Sequence, residues 1–301
     1  MQRSRRMGYH LQSDERNKMM NETKKDRFTG ILAGWDGLIY HHYKLNHSIT
    51  RESAARDAYQ SKSDLTPLFN DLFDQIEQNL NPTPSPRVGD SNWKLRRAKD
   101  RSDHNGSLEK LLEKRVVNLS PHDDCEASSG GWFNQIPACS GYANSKSNRK
   151  NSIDLVYEGN RGGEYSIIEL KLDNTSGTPF YATYENLSYG FLYLLSRTNE
   201  CLRSIFENAP VKPILTAERI RLIVLAPTSY YEENQPFAVS LKEFEQRVHR
   251  ALGAFAKSKV PRLEMGFEFR QFNNPVSSPE EIDCFEGFDP APYGQCVPFV
   301  T

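Results

Sequence analysis

The alternation of apolar and polar positions divides the chain into four stretches, and it predicts regular elements in the middle two. Residues 1–27 hold eight Lys or Arg against four Asp or Glu with few apolar positions, a pattern that predicts a mobile basic arm. From Ile31 to Leu80 apolar residues recur, and Leu65, Leu68, Leu72, Phe73 and Ile76 fall at helical spacing ahead of the Asn81-Pro82 stop. Residues 28–92 are therefore expected to form a helical extension that ends in a Pro/Ser-rich linker over 81–92. Beyond it, Ser107 is a suitable cap for a helix whose apolar stripe is Leu108, Leu111, Leu112, Val116 and Leu119. Three strand-like runs follow, Trp132 to Pro137, Ser152 to Tyr157 and Tyr165 to Leu172, with Gly159, Gly162 and Gly163 turning between the last two. A long apolar helix is predicted from about Phe180 to Phe206, then a strand from Arg219 to Ala226, an amphipathic helix from Leu241 to Ala256 and a strand from Leu263 to Phe272. The order is α-β-β-β-α-β, then α-β, which predicts an α/β domain over 93–272 with a mixed central sheet. From Gln271 to Thr301 there are five acids, five prolines and no Lys or Arg, so 273–301 is expected to be an acidic, Pro-rich tail.

Composition narrows the setting. The chain of 301 residues is long enough for a real core, while 37% hydrophobic and 26% charged residues imply polar extensions around it. A net charge of −1 gives no global attraction to a polyanion, so any nucleic-acid contact must come from local basic patches; the basic run Lys94, Arg96, Arg97, Lys99 and Arg101 reads as part of the linker. Cys125, Cys139, Cys201, Cys284 and Cys296 are an odd set without a CxxC pair, which fits a reduced, cytoplasmic setting. No apolar run approaches a membrane span and the first residues lack the apolar segment of a secretory signal, so no membrane partner is expected.

Candidate chemistry gathers in the predicted hairpin. Ser152-Ile153-Asp154-Leu155-Val156 is followed by Ile167-Ile168-Glu169-Leu170-Lys171-Leu172, with fourteen residues between Asp154 and Glu169. Alternation in a strand puts Glu169 and Lys171 on the face of Ile167, and Ile168, Leu170 and Leu172 on the other. Burying either charge without a partner costs several kcal/mol, so apolar strands that carry both need a compensating ligand. If Glu158 stands opposite Tyr165, Asp154 falls across from Glu169, with Cβ atoms about 4.5 to 5.5 Å apart, where two carboxylates repel unless a cation lies between them. That is the outline of a Mg²⁺ or Mn²⁺ site, to which the Leu170 carbonyl is a further candidate ligand. Lys171 is placed to orient the attacking water and to offset charge in a phosphorane-like transition state.

Asp154 and Glu169-Leu170-Lys171, on the second and third strands of an α-β-β-β-α-β core, resemble the PD-(D/E)xK, or restriction-endonuclease-like, nuclease superfamily. The resemblance covers roughly residues 107 to 272, and Ile153 stands where the family name has a proline. It implies a divalent-metal-dependent nuclease acting on nucleic acid, DNA ahead of RNA, in restriction, repair, recombination, mobile-element processing or phage defence. Many relatives work as homodimers or within larger assemblies. The resemblance also implies an acid from the first core helix, Glu109 or Glu113, and the helical wheel drawn on the stripe above favours Glu109. It implies a polar or aromatic residue from the helix after Lys171, which begins with Tyr181, Tyr184 and Glu185; Tyr184 is the candidate, with core packing the alternative for the tyrosines. Lys146, Arg149 and Lys150, in the loop entering the Asp154 strand, are candidate phosphate contacts or a solvated basic loop. Gln135 is a candidate for the cleft from the first strand.

Other motifs carry less. His41, His42 and His47 lack an HExxH spacing or a Cys partner, and the Ser-Gly turns at 129–131 and 140–141 match neither a P-loop nor a nucleophile elbow. Two competing classes stand beside the nuclease: a catalytically inactive module of the same fold that binds nucleic acid or a partner protein, and a hydrolase of a nucleotide second messenger.

Overall fold

The computed structural model describes residues 26–97, 107–119, 131–143, 152–159, 162–173, 177–232, 238–272 and 276–285. The expected arm up to residue 25, the loop with Lys146, Arg149 and Lys150, and the tail beyond 285 lie outside the described residues. Four helices come first: α1 (Trp35–Tyr43), α2 (Glu52–Gln60), α3 (Thr66–Asn79) and the short α4 (Arg87–Ser91). Then come α5 (Leu108–Leu119), β1 (Trp132–Pro137), β2 (Ser152–Glu158), β3 (Glu164–Leu170), α6 (Pro179–Thr198) and α7 (Glu200–Glu207). The chain continues through β4 (Arg219–Pro227), α8 (Thr228–Glu232), α9 (Ala238–Lys259), β5 (Glu264–Phe272) and α10 (Pro279–Asp283). This is an α/β architecture around one five-stranded mixed sheet of order β1-β2-β3-β4-β5, antiparallel across β1, β2 and β3 and parallel across β3, β4 and β5.

The hairpin between β2 and β3 turns where the glycines predict and closes with Glu158 opposite Tyr165, the register on which the pairing of Asp154 with Glu169 is conditional; Gly162 and Gly163 turn there at φ of +64° and +69°, which a side chain would strain. Alternation along the strands then feeds two apolar layers. Tyr165, Ile167, Leu222, Val224, Met265, Phe267 and Phe269 face the larger core, built with α1, α2, α3, α6 and α9. Ile168, Leu170, Ile223 and Leu225 face a smaller layer covered by α5 and the segment 276–285.

Four expectations are corrected. The stretch 81–92 is not a linker: it contains α4, and Val88, Asn92 and neighbouring Trp93 are buried, the Trp93 indole donating to Ser196 Oγ at 2.9 Å. The predicted helix 180–206 is two helices, because the extended backbone of Asn199 ends α6 while its side chain caps α7 through Leu202 N at 3.2 Å. Part of the expected tail belongs to the body, with Val276, Ile282 and Phe285 buried against α5 and Arg115 Nε donating to the Phe285 carbonyl at 3.0 Å. The buried stripe of α5 is Leu112, Glu113, Val116 and Val117, while Leu119 is 37% exposed. Val117 rotates the stripe away from the face that Leu108 and Leu119 suggest.

Candidate functional site

The site forms where the antiparallel ladder opens. Pairing of β1 with β2 steps from Asn134–Leu155 to Ile136–Ile153, and pairing of β2 with β3 ends at Leu155–Ile168. Continued on both sides, the same registers place Gln135, Asp154 and Glu169 in one row, without ladder pairing at that row. Gln135 adopts φ of +52°, a conformation that costs a non-glycine residue roughly 1–2 kcal/mol. The distortion breaks the alternation: Ile136 and Ile153 both enter the larger core, although Phe133 and Val156, three residues away on each strand, pack there too. What the strain purchases is reach, since Gln135 Nε2 donates to Glu113 Oε2 of α5 at 2.5 Å.

Around that opening the side chains form one connected set. Asp154 Oδ2 accepts the Leu170 N–H at 3.0 Å, a side-chain bond that takes the place of ladder pairing. Lys171 Nζ donates to Glu169 Oε1 at 2.6 Å and lies 2.9 Å from Glu185 Oε2 of α6. Glu113, Glu169 and Lys171 are exposed by only 1%, 5% and 5%, so these charges interact with little water between them. Glu169 Oε2 is buried and has no hydrogen-bond partner. Burial, seconded by the charge of Glu113, pushes the Asp154 carboxyl well above the usual carboxylate range. Burial and the charge of Asp154 do the same to Glu169, and burial pushes Glu113 up to about 8. For Lys171 burial acts downward, but Glu169, Glu185 and Asp154 outweigh it and hold the ammonium charged.

The structure thus brings Asp154, Glu169, Lys171 and Gln135 together and gives Leu170 a role through its N–H. It separates two other candidates. Glu109 lies partly exposed one turn before Glu113 on α5, its charge acting on Asp154 and Glu113, so Glu113 is the buried acid. Tyr184 is in the larger core, with its hydroxyl 2.9 Å from Tyr43 Oη and its ring against Phe180. The face of α6 turned to the site carries Tyr181, Glu185 and Tyr189, whose spacing of four residues is the signal that sequence reasoning passed over. The carboxylates around Lys171 raise both tyrosines in addition to burial, and Tyr189 Oη donates to the Ser152 carbonyl at 3.0 Å.

The donor chemistry suits a hard divalent cation: carboxylate oxygens in excess of positive charge, one of them buried and unpartnered. As placed, Asp154 and Glu169 each give an oxygen to a protein donor, and among the described residues no three His, Cys, Asp or Glu side chains converge as a metal-binding group. No helix among the described residues is long and apolar enough to cross a membrane. No family model, curated protein or solved structure matches this chain.

Proposed function

We propose that the chain is a divalent-metal-dependent nuclease that hydrolyses phosphodiester bonds of nucleic acid, DNA ahead of RNA, on a restriction-endonuclease-like core in the cytoplasm. The observation that carries this is the charge imbalance at the opening of the ladder. Asp154, Glu169 and Glu185 surround Lys171, Glu113 lies beside Asp154 and Glu169, and one buried oxygen of Glu169 is left without a partner. The order α5-β1-β2-β3-α6-β4, with the acids at the ends of β2 and β3, supports the same assignment.

Asp154, Glu169 and Glu113 would hold the ion. When bound, Mg²⁺ or Mn²⁺ supplies charge neutralisation at the phosphate oxygens and acidifies water. Lys171 keeps its proton at neutral pH and presents it to the water and to the charge that develops on phosphorus-bound oxygen. Glu185 fixes that ammonium from α6, and Gln135 fixes Glu113 from β1.

A second reading has its own observation: Lys171 is already held by two carboxylates, as in a structural ion network, which suits a nucleic-acid-binding module without catalysis. The test is cleavage of labelled DNA and RNA by purified protein with Mg²⁺, Mn²⁺ or EDTA. Metal-dependent cutting that drops at least about a hundredfold in Lys171→Ala and Asp154→Asn is expected. Equal cutting by the variants points to a contaminant and removes the catalytic assignment. A Mn²⁺-dependent rise in melting temperature, lost in Asp154→Asn, separates the nuclease from the binding module. Sedimentation of the same samples reports whether it works as a homodimer.

A further inference from the structure

The chain enters the folded body beside the carboxylate site, and a buried acid holds it there. Asp36, in the first turn of α1, is only 2% exposed, and its Oδ2 accepts the backbone N–H of Arg27 and that of Phe28, each at 2.9 Å. Its Oδ1 is buried without a partner. Bonds from backbone N–H groups to a carboxylate withdrawn from water are strong, and they fix the course of the chain at these two residues. Phe28 turns inward: its ring is buried, 5.4 Å from that of Trp35 and 6.1 Å from that of Tyr181 on α6. Tyr181 hydrogen-bonds Glu185, whose Oε2 lies 2.9 Å from Lys171 Nζ. Three side chains, Phe28, Tyr181 and Glu185, thus connect the point of entry with the ammonium at the centre of the site.

Arg27 faces the other way. It is exposed, and its guanidinium has no hydrogen bond or ion pair among the described residues; Asp26 beside it, also exposed, does not pair with it. Its positive charge acts on Tyr181 together with that of Lys171, which puts the guanidinium at the rim of the carboxylate site. The sequence leading to it has the same sign: residues 1–27 hold eight Lys or Arg against four Asp or Glu, in a chain whose net charge is −1. Positive charge is therefore concentrated in the segment that joins the body at this rim, opposite in sign to the excess carboxylate within. A metal ion neutralises those carboxylates and one phosphate, whereas the rest of a polyanion is held by cations beside the site. Along α6 only about 6 Å of rise separates Tyr181 from Glu185, so a strand with one phosphate at Lys171 carries a neighbouring phosphate to Arg27.

We infer that Arg27 is a positioning residue of this site, pairing with a backbone phosphate of the nucleic acid a few nucleotides from the bond cut at Asp154 and Glu169. It rests on the nuclease assignment for its ligand, but not for its geometry. The side chain can be exchanged without unseating the chain, because Asp36 holds the Arg27 backbone. The experiment measures fluorescence anisotropy of a labelled 30-base-pair DNA duplex with Ca²⁺ in place of Mg²⁺, across a salt series. It compares wild type with Arg27→Gln, Arg27→Lys and, as a control, Arg203→Gln, an exposed arginine of α7 beside Glu207 at 3.4 Å. Arg27→Gln is expected to weaken binding roughly five- to tenfold at 0.1 M salt and to lower the slope of log K against log salt by about 0.9, while Arg27→Lys keeps the slope. In cleavage with Mg²⁺ the same Gln variant raises KM and leaves kcat unchanged, in contrast to Lys171→Ala. Both Arg27 variants melt at the wild-type temperature, so weaker binding is not unfolding. Unchanged affinity and slope in Arg27→Gln, or an equal loss in Arg203→Gln, overturns the role of Arg27 even where cleavage upholds the nuclease. Absence of both DNA binding and cleavage in the wild type removes the nuclease assignment itself, and the phosphate contact with it.

Discussion

At the scale of single residues, Glu113 is where the electrostatics can be tested without touching Lys171. Its carboxyl is held up to about 8 by burial, against an ordinary value of 4.5, so in the metal-free protein it carries a proton at neutral pH that the unfolded chain lacks. A raised carboxylate contributes stability that is present below 4.5 and is lost as pH rises toward about 8. Glu113→Gln keeps a bond partner for Gln135 but cannot ionise. In urea melts from pH 5 to 9 without metal, wild type should therefore lose more stability on going up in pH than Glu113→Gln does. Added Mn²⁺ should stabilise wild type more at pH 8 than at pH 6, because its ligands must shed protons. Parallel pH slopes in the two proteins would show that Glu113 does not hold that proton. Asp154, Glu169 and Lys171 were legible in the sequence because an acid and a base in apolar strands stand out against their neighbours. Glu113 was not, since choosing between two acids one turn apart requires the phase of α5, and that phase is set by Val117 and by contacts with β1.

At the scale of elements, the cluster depends on how closely α6 lies on the sheet. Gly190 faces β4 and β5: a methyl group there would stand 2.6 Å from Leu222 Cδ1 and 3.3 Å from Met265 Cε. Gly190→Ala must push those side chains or lift the helix, at a cost of about 1–3 kcal/mol partly offset by the better helix propensity of alanine. A fall of several degrees in melting temperature is expected, with a weaker Mn²⁺ response because Glu185 moves with α6. An Ala variant as stable as wild type would show that the contact has slack. The strand series and the register of the hairpin could be read from periodicity and glycines, since both are local. The face of α6 could not, because almost all of it is buried and the apolar pattern has no polar side to orient it. Tyr184 and Glu185 are adjacent in sequence but about 100° apart on the helix, so the one enters the core and the other meets Lys171.

At the scale of the molecule, the N-terminal helices are part of the same core as the sheet, not an addition to it. The Trp35 ring packs 5.6 Å from Phe191 of α6, Phe73 lies 5.5 Å from Phe255 of α9, and Tyr59 lies 5.4 Å from Phe244. Polar contacts cross the same boundary, with Arg247 donating to the carbonyls of Ala58 and Tyr59 at 3.2 and 3.1 Å. Spacing along the sequence reveals helices over 28–92 but not which surface they cover, because that depends on partners more than a hundred residues away. The expected consequence is a single cooperative unit. Calorimetry should give one transition whose van't Hoff and measured enthalpies agree, and a fragment starting at residue 93 should fail to melt cooperatively, since α6 and α9 would expose their aromatic faces. Two separate transitions, or a fragment that folds by itself, would mean that the aromatic contacts between the two parts add little. In that case the position of Glu185 against Lys171 would be set by the sheet alone.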